Sequence, residues 1–162
     1  SEFQTPNGEA MKKTLLALSA ALLLPVAAQA QQAPRPEQLI KWRQSAYQTI
    51  AWNTTRIKSN VDGSYNKEEV IRAANVVAAL ANGGLGSLFA AGTEAGKGWR
   101  DTTVKPELFS DREGVGKVAS AFNKEANELA RVAQGGDVAA IKAQLANLQK
   151  TCKACHDDYR VN

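Results

Sequence analysis

The stretch Cys152-Lys153-Ala154-Cys155-His156, close to the C-terminus, places the strongest constraint on what this chain can become. Two cysteines three positions apart, with a histidine directly after the second, have the spacing of a c-type haem attachment site. In such a site the cysteines bind the haem covalently, and the histidine binds the iron from one face. The sequence therefore predicts one haem c per chain, attached through Cys152 and Cys155, with His156 as the iron ligand.

Three other interpretations of this motif are a redox dithiol, half of a structural zinc site, and a chance match beside a buried histidine. A closed zinc site needs about four ligands, whereas the whole chain contains two cysteines and one histidine. A thioredoxin-type motif is expected after a strand in a βαβ unit, and no such pattern precedes Cys152. The spacing, the histidine and the cysteine count therefore favour haem attachment.

The N-terminal part of the chain is typical of a targeting segment. A basic start at Met11, a short apolar run over residues 14–28 and small residues up to Ala30 predict a secretory signal peptide over residues 11–30. The run is short for a membrane-spanning helix and is interrupted by Pro25, which disfavours a permanent anchor. We expect cleavage before Gln31 and no membrane insertion afterwards.

Residues 31–162 are then left as one domain of about 130 residues, enough for a single hydrophobic core. Residues 1–10 precede Met11 and resemble a cloning scar, so we exclude them from the fold. The formal net charge of +4 is scattered along the chain and forms no basic run, so nucleic acid is not an expected partner. Because c-type haem is attached outside the cytoplasm in bacteria, the predicted location is the periplasm.

Apolar residues at intervals of three and four predict four amphipathic helices, and no strand-type alternation is present. N-cap residues are expected at Asn66, Ser110 and Asp137, and the first helix should end near Asp62-Gly63. The predicted fold is all-α, an antiparallel up-down-up-down four-helix bundle with the haem in its interior. The inward-facing residues are Ile40, Arg43, Tyr47, Ile50, Thr54, Ile57 and Val61; Ile71, Ala74, Ala78, Ala81, Leu85 and Leu88; Val115, Ala119, Phe122, Ala126, Leu129 and Ala133; and Val138, Ile141, Leu145, Leu148, Cys152, Cys155 and Tyr159.

Two inward positions of the first helix, Arg43 and Tyr47, are not plain hydrophobic residues. A buried arginine is costly unless an anion meets it, and a haem propionate would serve. The alternative is that Arg43 extends to solvent and Tyr47 is ordinary core. The small residues Ala73, Ala74 and Ala78 leave two possibilities open, close contact with a second chain or room for the haem. The irregular stretch 90–109 is expected to border the pocket.

The sixth iron ligand is the other informative position. Past the signal peptide the chain contains no methionine and no histidine besides His156, and these are the usual strong ligands. We therefore expect five-coordinate, high-spin iron with an open distal face. Tyrosinate, lysine or the N-terminal amine are less common alternatives. An open site disfavours a role as a fast electron carrier.

Four stretches resemble cytochrome c′, the bacterial class II c-type cytochromes: residues 41–47, Gly92-Thr93-Glu94, Lys105-Pro106-Glu107 and residues 152–160. The resemblance extends over the mature sequence. It implies a periplasmic left-handed four-helix bundle, commonly a homodimer, whose five-coordinate haem binds nitric oxide and carbon monoxide.

The resemblance also implies roles for individual residues. Members differ at the position of Tyr47, where some carry an aliphatic residue, so the resemblance does not define ligand affinity. The implied cofactor-binding residues are Arg43 at a haem propionate, Gln44 next to it, Tyr47 over the distal face, Phe89 at the border of that pocket, and Arg160 beside His156.

The leading functional hypothesis is reversible binding of nitric oxide, for buffering or carriage. A neutral diatomic can enter an apolar pocket without the desolvation cost of an anion. Arg160 has only hydrogen-bond donors and cannot accept the imidazole proton of His156, which favours a weak iron–histidine bond. The alternative function is electron transfer with a periplasmic redox partner, and a third is a structural or stress role. No acid–base pair is readable near the motif, so we expect a binding protein and not an enzyme.

Overall fold

The computed structural model describes residues 33–161, so the predicted cloning scar over 1–10 and signal peptide over 11–30 lie outside the described residues. Two isolated β-bridges are the only strand-type pairings in this part of the chain. The four long helices are α1 (Pro36–Asp62), α2 (Lys67–Ala81), α3 (Arg112–Gly135) and α4 (Val138–Tyr159). A 3₁₀ segment (Leu85–Leu88) and one helical turn (Glu107–Ser110) lie between α2 and α3.

Each long helix packs against the next one in the chain, and α4 also packs against α1, which closes the bundle. The short connections from α1 to α2 and from α3 to α4 make these neighbours antiparallel. The predicted all-α, up-down-up-down four-helix bundle is therefore confirmed. None of the helices formed by residues 33–161 combines the length and the apolar character needed to cross a membrane.

Two of the expected helix caps are confirmed. The side chain of Asn66 accepts a hydrogen bond of 3.1 Å from the Glu69 amide at the start of α2. Asp137 accepts one of 3.2 Å from the Ala140 amide at the start of α4. Each bond satisfies an amide that has no partner within its own helix.

The cap of α3 is one residue later than predicted. Asp111, and not Ser110, accepts a hydrogen bond of 2.9 Å from the Gly114 amide. Ser110 ends the preceding helical turn, where its hydroxyl donates to the Glu107 carbonyl at 3.2 Å. The carboxylate of Asp111 is the stronger acceptor for an amide at the positive end of a helix.

The buried core occupies one half of the bundle, formed by the C-terminal halves of α1 and α3 and the N-terminal parts of α2 and α4. In the other half, inward positions are less buried: Cys152 and Cys155 are half-buried and Ala119 is exposed. The core residues are Ile50, Ile57, Val61, Val70, Ala73, Ala74, Val77, Ala126, Leu129, Ala133, Ile141, Leu145 and Leu148. Since Ala73 and Ala74 belong to it, they pack within the chain.

The inward position near the middle of α1 is shifted by one residue from the prediction. Asn53 is fully buried in place of Thr54, which is only partly buried. Its amide donates to the Thr49 carbonyl at 2.9 Å and its oxygen accepts from Arg56 at 3.0 Å. A buried amide with both functions satisfied is tolerated in a core, and periodicity alone did not reveal it.

Candidate functional site

The Cys-Lys-Ala-Cys-His motif lies in the last two turns of α4. Cys152 and Cys155 are both free and half-buried, and Cys152 Sγ lies 3.5 Å from the Leu148 carbonyl oxygen. Burial raises the pKa of both thiols, and the neighbouring Cys152 raises that of Cys155 further. Partial loss of water, and then the charge of Arg160, lowers the pKa of His156. The neutral imidazole favoured in this way is the form that binds a metal.

Tyr47 of α1 lies near this motif. Loss of water raises the pKa of Tyr47 to about 12, with further contributions from Cys155 and then Cys152 and an opposing one from Arg43. The side chain nevertheless exposes 41% of its surface, so the interpretation of Tyr47 as ordinary core is wrong. Its ring meets that of Phe89 edge to face, with centroids 6.3 Å apart. The structure therefore brings two of the predicted site residues together.

Arg43, one turn before Tyr47, is buried and exposes only 3% of its surface. Its Nη1 donates to the Leu88 carbonyl at 3.2 Å and to the Thr93 hydroxyl at 2.7 Å. Its Nη2 donates to the Thr93 carbonyl at 2.7 Å and to the Thr102 hydroxyl at 2.8 Å. The alternative in which Arg43 extends to solvent is therefore wrong.

The guanidinium of Arg43 is held by neutral oxygens. Within residues 33–161 no carboxylate forms an ion pair with Arg43. Burial lowers its pKa, and the more distant Glu94 acts in the opposite direction. The guanidinium carbon also lies 4.7 Å from the centre of the Phe89 ring. A cation with no directly paired anion can still attract one.

Thr93 and Thr102 are site residues that the sequence did not predict. Thr93 is fully buried and Thr102 partly buried, and both bind Arg43 through their hydroxyl oxygens. The only sequence signal for either was the stretch Gly92-Thr93-Glu94. Thr102 belongs to a loop without helical or strand periodicity, so no pattern indicated which of its hydroxyls turn inward.

Gln44 binds the loop between α2 and α3. Its amide oxygen accepts from the Trp99 amide at 2.8 Å, and its amide nitrogen donates to the Arg100 carbonyl at 2.9 Å. The Trp99 indole also donates to the Ser45 hydroxyl at 2.8 Å. A surface groove of about 500 Å³ lies beside these groups, lined in part by Trp52. A cofactor-binding role for Gln44 stays a prediction.

Arg160 directly follows α4 and lies close to His156. Its amide donates to the His156 carbonyl at 3.1 Å, and its backbone forms an antiparallel bridge with Val104. The charge of Arg160 contributes to the lowered pKa of His156. A role for the Arg160 side chain beside the His156 ring stays a prediction.

The side chains available as ligands decide whether the site suits a metal ion, a redox dithiol or a haem. Across residues 33–161 no three histidine, cysteine or acidic side chains are clustered so as to hold a metal ion. The motif lies within a helix and does not follow a strand, which disfavours a thioredoxin-like site. Two half-buried thiols and an imidazole on one helix, with Tyr47 and Phe89 nearby, fit covalent haem.

Comparison with known proteins also indicates a haem protein. The family model of cytochrome c′ matches residues 38–160. Cytochrome c′ of Rhodocyclus tenuis is 63% identical over 127 residues, which cover 78% of this chain and 96% of that protein.

Two solved structures are also similar. One is a cytochrome c′ described as having an unusual ligand-controlled dimer dissociation; it is 43% identical, with a TM-score of 0.77 over 80% of this chain and 98% of its own. Another is the nitric oxide complex of a cytochrome c′ variant from Alcaligenes xylosoxidans, 28% identical, with a TM-score of 0.70 over 79% of this chain and 98% of its own. A covalently bound c-type haem is implied by this kinship, and the chain belongs to the cytochrome c′ family.

Proposed function

We propose that this chain binds nitric oxide reversibly, and carbon monoxide likewise, and that it buffers or carries nitric oxide in the periplasm. When bound, the haem supplies an iron atom that can take up a diatomic gas. One observation supports the proposal: the side chain near the α4 thiols is the phenol of Tyr47, whose ring meets the phenyl ring of Phe89. Neither is one of the usual strong iron ligands.

The residues of α4 have separate roles in this proposal. Cys152 and Cys155 hold one haem covalently, and the neutral imidazole of His156 binds the iron. Arg43 is close enough to Phe89 and Tyr47 to attract a propionate to the same side. Arg160 carries only donors, so it cannot draw the proton from the His156 ring, and a neutral imidazole of this kind would favour a weak bond to the haem iron.

Tyr47 controls the distal side. Because its pKa is raised to about 12, its side chain is a neutral phenol at physiological pH and is poorly suited to bind iron as tyrosinate. A neutral phenol can donate a hydrogen bond to a bound gas molecule, and its ring has to give way to admit one. The nitric oxide complex of the related protein supports entry of the same gas here.

Absorption and resonance Raman spectra of the ferrous holoprotein, before and after nitric oxide, test the proposal. We expect a five-coordinate, high-spin spectrum that shifts on adding the gas, and a change in gas affinity in Tyr47→Phe, which removes only the hydroxyl. Tyr65→Phe, which removes a hydroxyl that packs against the core cluster, is the control. A low-spin ferrous spectrum that ignores the gas would overturn the proposal and favour electron transfer with a redox partner.

Export to the periplasm is the second part of the proposal, supported by the signal-like pattern over residues 11–30. Expression of the full chain in a bacterium that matures c-type cytochromes, followed by fractionation, tests it. Mature protein that begins at Gln31 in the periplasmic fraction is the expected result. Uncleaved protein in the cytoplasm would contradict it.

We also propose a homodimer, formed through the outer faces of α1 and α2. Arg56 of α1 bonds Glu69 of α2 at 3.3 Å and lies 4.8 Å over the Trp52 ring. Trp52 is one turn before Arg56, and Val76 is two turns after Glu69 on the antiparallel helix, so both lie on one side. Trp52 and Val76 expose 59% and 37% of their surfaces, and exposed aromatic residues are enriched in interfaces.

Sedimentation of the holoprotein tests the dimer. Trp52→Lys and Val76→Lys are expected to shift it towards monomer, because each places a charge in the apolar contact. Val161→Lys, an equally exposed position at the other end of the chain, should leave the association unchanged. A wild-type protein that sediments as a monomer at all concentrations would exclude the dimer. Repeating the run with carbon monoxide asks whether ligand controls association, as described for the related protein.

A further inference from the structure

The loop of residues 93–105, here called the strap, contacts both α1 and the chain segment that follows the haem motif. It starts beside the 3₁₀ segment and ends before the helical turn Glu107–Ser110. Inside the strap, the Thr102 amide donates to the Gly96 carbonyl at 2.9 Å. Lys97 and Asp101 form an isolated bridge. These bonds hold residues 96–102 as one turn, so displacing one end of the turn moves the other.

The first anchor of the strap is α1. Arg43 bonds Thr93 at 2.7 Å and Thr102 at 2.8 Å, so one guanidinium holds the first residue of the strap and the last residue of the turn. Between them, Gly98 lies directly against α1: a Cβ there would be 2.6 Å from Gln44 Oε1 and 2.8 Å from the Lys41 amide nitrogen. The strap is thus pressed onto α1 one turn before Tyr47.

The second anchor is the end of α4. The Lys105 amide donates to the Tyr159 carbonyl at 2.8 Å, and the Val161 amide donates to the Thr103 carbonyl at 2.7 Å. Between these two bonds, Val104 and Arg160 form an antiparallel bridge. Arg160 lies beyond the last helical residue, and its amide donates to the His156 carbonyl at 3.1 Å. The strap therefore fixes the backbone of Arg160 next to the last turn of α4, which carries His156.

Thr102 joins the two anchors. Its hydroxyl oxygen accepts from Arg43 Nη2 at 2.8 Å and from the Val104 amide at 3.4 Å. A continuous path therefore runs from Arg43 through Thr102 and Val104 to Arg160. The Arg43 bond is the shorter one and comes from a charged donor, so it dominates the position of the hydroxyl.

We infer that Thr102 is a positioning residue, which sets the place of Arg160 beside His156 from the distal-side helix α1. It touches neither the thiols nor the imidazole and acts only through the strap. The consequence for the iron–histidine bond rests on the proposed function, whereas the mechanical link between Arg43 and the C-terminal backbone does not. A change at Thr102 should therefore alter the surroundings of His156.

Amide hydrogen exchange of the holoprotein tests the mechanical link. Thr102→Val keeps the side-chain shape and removes the acceptor, and it should speed exchange at the Lys105 and Val161 amides about tenfold. Thr102→Ser retains the hydroxyl and should restore slow exchange. Thr103→Val removes a hydroxyl from the next, exposed residue and is the matched control. Exchange in Thr102→Val equal to that of the wild type would overturn the inference.

A double-mutant cycle tests the effect on His156. The iron–histidine stretching band of the ferrous protein should shift in Thr102→Val in the same direction as in Arg160→Ala. It should shift no further in the double variant, because Thr102 acts through Arg160. Additive shifts would overturn the inference. If Thr102→Val fails to fold, Thr102→Ala replaces it as the variant without the hydroxyl, and Thr102→Ser stays the variant that keeps it. If the two variants shift the band in the same direction but the protein does not bind nitric oxide, the role of Thr102 is supported and only the proposed gas binding is contradicted.

Discussion

The phenol of Tyr159, the last residue of α4, donates a hydrogen bond of 2.6 Å to Oδ2 of Asp111, whose other oxygen caps α3 through the Gly114 amide. One carboxylate thus joins the end of the haem-motif helix to the start of its neighbour. Tyr159 exposes only 5% of its surface. The bond should therefore matter for stability as well as for the position of the C-terminus.

Replacing Tyr159 by phenylalanine should destabilise the fold, because Asp111 loses the partner of a charge-assisted hydrogen bond. We expect the Tm to fall by about 3 to 6 °C, measured by calorimetry of the holoprotein. Tyr65→Phe is the matched control, since the Tyr65 hydroxyl is buried without a hydrogen-bond partner in residues 33–161. Removing that hydroxyl should be neutral or stabilising. Equal losses in both variants would contradict this account.

The same pair predicts a pH dependence. The hydrogen bond from Tyr159, and after it the bond from the Gly114 amide, lowers the pKa of Asp111 below its ordinary 3.8. The ionised carboxylate therefore stabilises the fold above pH 3.8, and this stabilisation is lost as the pH falls through the lowered pKa of Asp111. The pKa of Tyr159 is raised from 10.0 to about 12, first by the bond to Asp111. The stabilisation from the protonated phenol is therefore lost as the pH rises through about 12. Urea unfolding should show a gap between wild type and Tyr159→Phe that is constant near neutrality and closes below about pH 4. A gap that widens in acid would contradict the assignment.

Two glycines near the start of α3 should respond in opposite directions to alanine. A Cβ at Gly114 would collide with Asp111 Oδ2 and with the Tyr159 hydroxyl, closer than real Cβ atoms approach. A Cβ at Gly116 meets nothing within 4 Å. Gly116→Ala should raise the free energy of unfolding by about 0.5–1 kcal/mol through helix propensity, whereas Gly114→Ala should lower it. Chemical denaturation of both variants is the measurement, and an increase in both would exclude the close contact.

Covalent attachment can be read directly from the mass of the denatured protein. The wild type should retain one haem, Cys152→Ala and Cys155→Ala should each retain at most one thioether link, and the double variant should lose the haem on denaturation. Lys153→Ala, an exposed residue between the cysteines, is the control and should keep the wild-type mass. Haem retained by the double variant would exclude attachment through these cysteines.

The helices and the motif were predictable because each depends on local order in the sequence. Periodicity placed Ile57, Leu129 and Leu148 inward, and all three are fully buried. Asn66 and Asp137 were identified as caps because a side-chain acceptor next to a helix has a local signature. The α3 cap was wrong by one position because Ser110 and Asp111 are both good cap residues, and the preceding helical turn decides between them.

The partners of Arg43 were not predictable, because they depend on the path of a loop. Periodicity identified Arg43 as inward, and general electrostatics required polar partners for it. The hydroxyl of Thr102 lies 59 positions away in sequence, and its approach depends on the absence of a side chain at Gly98. Contacts of this kind arise from tertiary packing, which a single sequence does not encode as a repeating pattern.

The unequal burial along α4 divides the helix into two parts. Ile141, Leu145 and Leu148 are packed in the core, whereas residues 151–158 are half-buried or exposed. The first half of α4 therefore secures the helix in the bundle, while the motif lies at its less tightly packed end. Substitutions near the cysteines can accordingly alter the chemistry of the site without loosening the apolar core that holds the helix.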